Sequence, residues 1–149
     1  MNSKSILGAT STEYESTQNE SENVPKEKVD YKSLVQEFGS PLLILDQAEV
    51  RRQYRDLVKA LPGVQMHYAI KPLPHEAVIS TLREEGAGFD LATNGEVDLV
   101  RGQSVDPSTC IHTHPIKRAG DIEYALEYGC NVFVFDNIHE LEKFKSYRK

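Results

Sequence analysis

Tyr68-Ala69-Ile70-Lys71 and, one helix-length later, Gly88-Phe89-Asp90-Leu91-Ala92-Thr93-Asn94-Gly95-Glu96 are the stretches from which the rest of this chain can be read. Val64 to Ile70 reads as a short apolar strand ending on Lys71, and Phe89 to Ala92 as a second strand with Asp90 inside it. Between them Pro74 opens a helix with Ala77, Val78, Thr81 and Leu82 inward, and Gly86 closes it. A strand, a helix and a strand in this order form a parallel pair joined by a right-handed crossover. Enzymes built this way place reactive groups at the carboxyl ends of the strands, so Lys71 and Asp90 are expected to face each other there.

The same rhythm extends in both directions. Upstream, Leu42 to Leu45 reads as a buried strand, and Asp46 with Glu49 gives a capping-box signature for a helix whose Val50, Tyr54, Leu57, Val58 and Leu61 share one face. Pro62-Gly63 ends that helix. Downstream come a helix from Asn94 through Val97 and Val100, a strand Cys110 to Thr113, a helix near Asp121 to Tyr128 and a strand Val132 to Phe135. A last helix starts at Asn137, with Glu140 completing a capping box and Ile138, Leu141 and Phe144 as its apolar stripe. The fold class is α/β, parallel strands alternating with helices.

Residues 1–30 are different in kind: Ser, Thr, Glu, Asn and Gln dominate, with almost no periodic apolar residues. Such a segment buries too little surface to offset its ordering entropy, and a disordered polar tail is expected, with the ordered domain in residues 31–149. The net charge of −6 and the lack of a basic cluster argue against a nucleic-acid partner. Near the start only Ile6 and Leu7 are adjacent apolar residues, and no run approaches the roughly 18 needed to span a membrane, so a cytoplasmic chain is expected. Cys110 and Cys130 lack metal-site spacing and read as buried thiols.

Strand periodicity sorts the chemistry. His67, Ala69 and Lys71 point one way; Ala69 leaves room beneath the lysine, and His67, about 13 Å back along an extended strand, belongs to a core layer. Asp90 either stabilises a protonated nitrogen on Lys71 or caps the Asn94 helix. Glu96, from residue type alone, is a first-turn acid exposed to solvent. His112 and His114 form the H-x-H pairing used by zinc hydrolases, but a third ligand with suitable spacing is missing, so no metal is expected.

Tyr68 to Gly86, with Leu73, Val78, Ile79 and Leu82 inside it, then Gly88 to Glu96, and the turn His114-Pro115-Ile116-Lys117 resemble the ornithine/diaminopimelate/arginine decarboxylase family of fold-type III enzymes. The last turn resembles the Asn-Pro-x-Lys of the ornithine-type branch, with His114 in place of the asparagine. Pro72 departs from the family, which has a small residue there. What the resemblance implies is the first half of an alanine-racemase-like (β/α)8 TIM barrel, truncated, with Lys71 holding pyridoxal 5'-phosphate as a Schiff base. Ala69, Asp90, Glu96 and His114 would lie beside that cofactor. The implied activity is decarboxylation of a basic amino acid in polyamine biosynthesis, by an enzyme that is a homodimer when complete.

A barrel needs about 200 residues or more, so the 149-residue chain is expected to be incomplete and inactive alone, its open sheet awaiting a complementary C-terminal half. By the same resemblance the Leu42 to Leu45 strand would belong to a second domain. Other readings are a non-catalytic interaction protein, a pyridoxal phosphate carrier, and an independent doubly wound domain binding a ligand without a covalent link.

Overall fold

The computed structural model describes residues 29–147, so the stretch read as a polar tail lies, apart from its last two residues, outside the described residues. The described residues divide into two units, the first ending at Leu43 and the second beginning at Ile44. In the first, α1 (Tyr31–Phe38) begins at Asp30, whose carboxylate accepts from the N–H groups of Lys32 and Ser33 at 3.0 and 3.3 Å, and it ends at Gly39 with φ +83°. This helix was not anticipated, although Tyr31, Leu34, Val35 and Phe38 have helical spacing.

The second unit is a four-stranded parallel sheet with helices between the strands. Its elements are α2 (Gln47–Ala60), β1 (His67–Ala69), α3 (Glu76–Glu84), β2 (Gly88–Leu91), α4 (Asn94–Gly102), β3 (Cys110–His112), α5 (Ala119–Tyr128), β4 (Val132–Phe133) and α6 (Ile138–Lys143). The strands stand in the order β1-β2-β3-β4, with Ala69 level with Asp90, Asp90 with Ile111, and Ile111 with Val132. Because each right-handed crossover steps to the next strand in the same direction, all crossover helices fall on one face. A doubly wound sheet would reverse its strand order and cover both faces; this one does not.

Burial follows that geometry. Ile70, Phe89, Leu91 and Cys110 point to the helical face and form one core with Val78, Ile79 and Leu82 of α3, Val97 and Val100 of α4 and Ala125 of α5. On the opposite face Ala69 and Val132 are exposed and Asp90 and Ile111 half-buried. Parallel sheets are normally covered on both faces; here the described residues cover one. Gly88 on β2 is the close-packed point of the open face, where an added Cβ would lie 2.5 Å from the His67 ring and 2.7 Å from the Thr109 carbonyl oxygen. The expected core position of His67 is met only in part, since it is half-buried. Cys110 and Cys130 are buried free thiols, and burial pushes the Cys110 thiol up to about 12.

Several expectations are corrected. Leu42 to Leu45 is not a strand: it pairs with none of the described strands, and Leu43 is 89% exposed. The first and last sheet strands are shorter than read, and Lys71 and Phe135 lie beyond them. Asp46 does cap α2, but the Glu49 carboxylate turns to Arg52 instead of returning to the cap. On α2, Val50 and Tyr54 reach the core while Leu57, Val58 and Leu61 remain exposed. Ile138 and Leu141 of α6 are exposed as well; the helix is held instead by buried Glu140 and by Phe144, whose ring packs 5.0 Å from that of Phe133.

Candidate functional site

At the carboxyl edge of the open face, β1 runs out at Ala69 and its ladder continues one residue further, Ile70 N–H donating to the Asp90 carbonyl at 3.4 Å. The chain then turns: Leu73 N–H donates to the Ile70 carbonyl at 3.1 Å, and the Tyr68 hydroxyl donates to the Leu73 carbonyl at 3.2 Å. Lys71 sits in this turn and not, as read, on the strand. Its side chain is exposed, and its ammonium has no hydrogen-bond or ion-pair partner among the described residues. Pro72 costs the turn nothing, since closure uses the N–H of Leu73.

Asp90, level with Ala69, accepts a hydrogen bond at Oδ1 from the Thr113 hydroxyl at 2.6 Å. It does not cap the Asn94 helix; Thr93 does. Thr113 was missed by sequence reasoning, although the signal was present: it lies two residues past Ile111, the register partner of Asp90, and therefore on the same face.

Glu96 is 7% exposed, not the solvated acid its type suggested. Its carboxylate accepts from the N–H groups of Ala92 at 2.5 Å and Thr93 at 3.2 Å, while Glu96 N–H donates to Thr93 Oγ1 at 3.3 Å. This is a complete capping box at the start of α4. No hydrogen bond joins Glu96 to Lys71, Ala69 or Asp90.

His114 follows β3, two strands away from Lys71 and so roughly 10 Å across the sheet. Its Nδ1 accepts from the Ile116 N–H at 3.2 Å. With His112 it lines a cleft of about 430 Å³ between the start of α4 and the loop into α5, and Lys71, Ala69 and Asp90 are not among the lining residues. The loop is nailed down by Lys117, a buried lysine whose Nζ donates to the carbonyls of His114 at 2.7 Å and Val134 at 2.5 Å. Glu140 accepts from the Lys117 N–H at 3.1 Å, and Lys143 Nζ closes the set with bonds to Glu140 and the Lys117 carbonyl. Burial pushes the Lys117 ammonium below its ordinary range, and the Lys143 hydrogen bond holds the Glu140 carboxyl below its own. His112 is 1% exposed, its ring stacked 5.6 Å from Phe133. Burial and then the nearby Lys117 charge push its pKa down. No cluster of three metal-ligating side chains occurs among the described residues, and none of the described helices is long and apolar enough to cross a membrane.

The structure thus sets Ala69 and Asp90 side by side on the open face, adds Thr113 to them, leaves Lys71 two residues past Ala69 in the following turn, and places His114 and Glu96 in separate hydrogen-bond networks.

Comparison with known proteins adds three findings. Residues 47–149 match the family described as "Pyridoxal-dependent decarboxylase, pyridoxal binding domain". The chain is 36% identical over 104 residues to ornithine decarboxylase of Saccharomyces cerevisiae and 38% identical over 100 residues to antizyme inhibitor 2 of Xenopus laevis, covering 70% and 67% of this chain and 22% of each relative. It thus spans under a quarter of the length of these relatives. Among solved structures, lysine/ornithine decarboxylase from Vibrio vulnificus complexed with putrescine is 61% identical with a TM-score of 0.76, over 78% of this chain and 32% of that one. The architecture expected from the resemblance, the leading strands and helices of an α/β barrel, is the one observed.

Proposed function

We propose, for a chain that belongs to the pyridoxal-dependent decarboxylase family through its pyridoxal binding domain, that Lys71 is the residue to which pyridoxal phosphate is covalently attached. We further assign the reaction to decarboxylation of a basic amino acid of the ornithine and lysine type. The observation that carries the reading is the position of Lys71: an exposed amine without a partner among the described residues, just past β1, whose last residue Ala69 stands level with Asp90. These residues fit the group. Ala69 is small and exposed, which leaves the open face free for a planar ring, and Thr113 engages only one Asp90 oxygen.

When bound, pyridoxal phosphate supplies the electron sink for loss of carbon dioxide. The chain's own part is narrower. The Lys71 amine makes the covalent link. Asp90, its carboxylate oriented by the Thr113 hydroxyl, would serve as the hydrogen-bond acceptor beside the linked nitrogen of the bound group. The similarity to the Vibrio enzyme in complex with putrescine supports a diamine as product, hence a place in polyamine biosynthesis. A cytoplasmic homodimer fits this reading. Turnover is assigned to a polypeptide of the relatives' length, of which this chain spans under a quarter.

A second reading, a non-catalytic interaction protein, is favoured by one observation, the 38% identity to antizyme inhibitor 2. Borohydride trapping separates the two. The purified chain is mixed with pyridoxal phosphate, reduced and mapped by peptide mass, beside a Lys71→Ala control. An adduct confined to Lys71 and lost in the variant is the expected result. Labelling spread over surface lysines and unchanged by the substitution would refute the assignment and leave the interaction role.

A further inference from the structure

The cleft behind the sheet is not accounted for by the lysine chemistry. It lies at the carboxyl ends of β2 and β3 on the helical side, while Ala69 and Asp90 stand on the open side and Lys71 is not among the residues that line it. Among the described residues three buried side-chain polar atoms have no hydrogen-bond partner: both ring nitrogens of His112 and Oδ1 of Asn94. Both residues line the cleft. A buried imidazole with neither nitrogen paired costs on the order of 1–3 kcal/mol, so its retention calls for an occupant that pairs it.

The surroundings define that occupant. α4 is a nine-residue helix whose amino end opens into the cleft at Asn94 and Gly95. The capping box satisfies the N–H groups of Ala92, Thr93 and Glu96, and those of Asn94 and Gly95 have no partner among the described residues. Unpaired N–H groups at a helix start, with the positive end of the helix dipole, favour anions. Arg118 lines the same cleft, its side chain 88% exposed and bonded on one side to Asp121. Buried Lys117 adds a second positive charge in the wall. Asp121 is the one acidic lining residue, and Arg118 already engages it.

We propose that this cleft binds a small oxyanion, a carboxylate or a phosphate group, through the N–H groups of Asn94 and Gly95, the His112 imidazole and the Arg118 guanidinium. A chain of net charge −6 does not gather anions over its surface, so uptake here requires these local groups. The site is separate from the Lys71 edge, and its test does not depend on cofactor attachment.

Inorganic phosphate and, separately, acetate are titrated into the full isotope-labelled chain while the amide of Gly95 and the ring nitrogens of His112 are followed by NMR. Saturable shifts at both positions are expected, and the tighter of the two probes identifies the source of the oxyanion. Arg118→Ala removes an exposed side chain and should weaken the apparent affinity about tenfold, the size of one charge-assisted bond. Asn94→Pro, at the first helical position where proline is tolerated, removes one donor and should weaken binding while leaving the remaining spectrum folded. Shifts that fail to saturate, that scatter over surface lysines, or that persist unchanged in both variants would mean an adventitious ion only and would overturn the proposal.

Discussion

Replacing Glu96 by alanine tests whether this acid holds the local frame. The carboxylate joins the end of β2 to the start of α4 by accepting from the Ala92 and Thr93 N–H groups, and Thr93 caps in return. Losing a capping arrangement costs about 1–2 kcal/mol, and leaving the half-buried Ala92 N–H without a partner adds about 1–2 more. The expected loss is therefore about 3 kcal/mol, a large share of the 5–15 kcal/mol typical of a folded domain. In urea denaturation followed by far-ultraviolet circular dichroism, this moves the midpoint down by about 2 M at unchanged slope. Glu96→Gln keeps an acceptor but not the charge, and should lose about half as much. Borohydride trapping at Lys71 should survive in the glutamine variant, because no hydrogen bond links the two residues. An alanine variant within about 0.5 kcal/mol of wild type would refute the capping account.

His112 gives a pH dependence. Its folded pKa is depressed by burial and by Lys117, so the unfolded chain binds the proton more readily. The associated stability is present above the ordinary histidine value of about 6.5 and is lost as pH falls below it. Urea midpoints measured from pH 8 down to pH 5 should decline through that window and flatten in His112→Gln; an equal decline in the variant would dismiss His112 as the cause. Gly88→Ala places a methyl against the Thr109 backbone carbonyl, which cannot swing aside like a side chain, and should destabilise by about 1–3 kcal/mol. A neutral effect by the same denaturation assay would mean that β2 shifts freely within the sheet.

What the sequence revealed follows from what was local. Helix starts at Asp46 and Asn137 were legible because a capping side chain and its target lie within three residues. Lys71 and Asp90 were expected to face each other from the spacing of two strands; the register sets Asp90 level with Ala69, while Lys71 lies past the end of β1. The Thr113 bond to Asp90 escaped because it joins residues 23 apart, and only the register of β2 on β3 reveals it. Of the two readings of Glu96, the exposed one fails, because a first-turn acid looks the same in sequence whether it faces water or folds back over its own cap. Leu42 to Leu45 was misread because a run of four apolar residues announces burial without naming what would pair with it.

The alternation at the end of β3 has an effect on how this protein can change. Thr113 addresses Asp90 on the open side, while His112, its immediate neighbour, faces the cleft on the helical side. One peptide unit therefore serves two compartments separated by the thickness of a single backbone. A substitution at one position alters its own compartment and leaves the other's walls in place, so mutational drift can retune the back cleft without passing through forms that have lost the lysine edge.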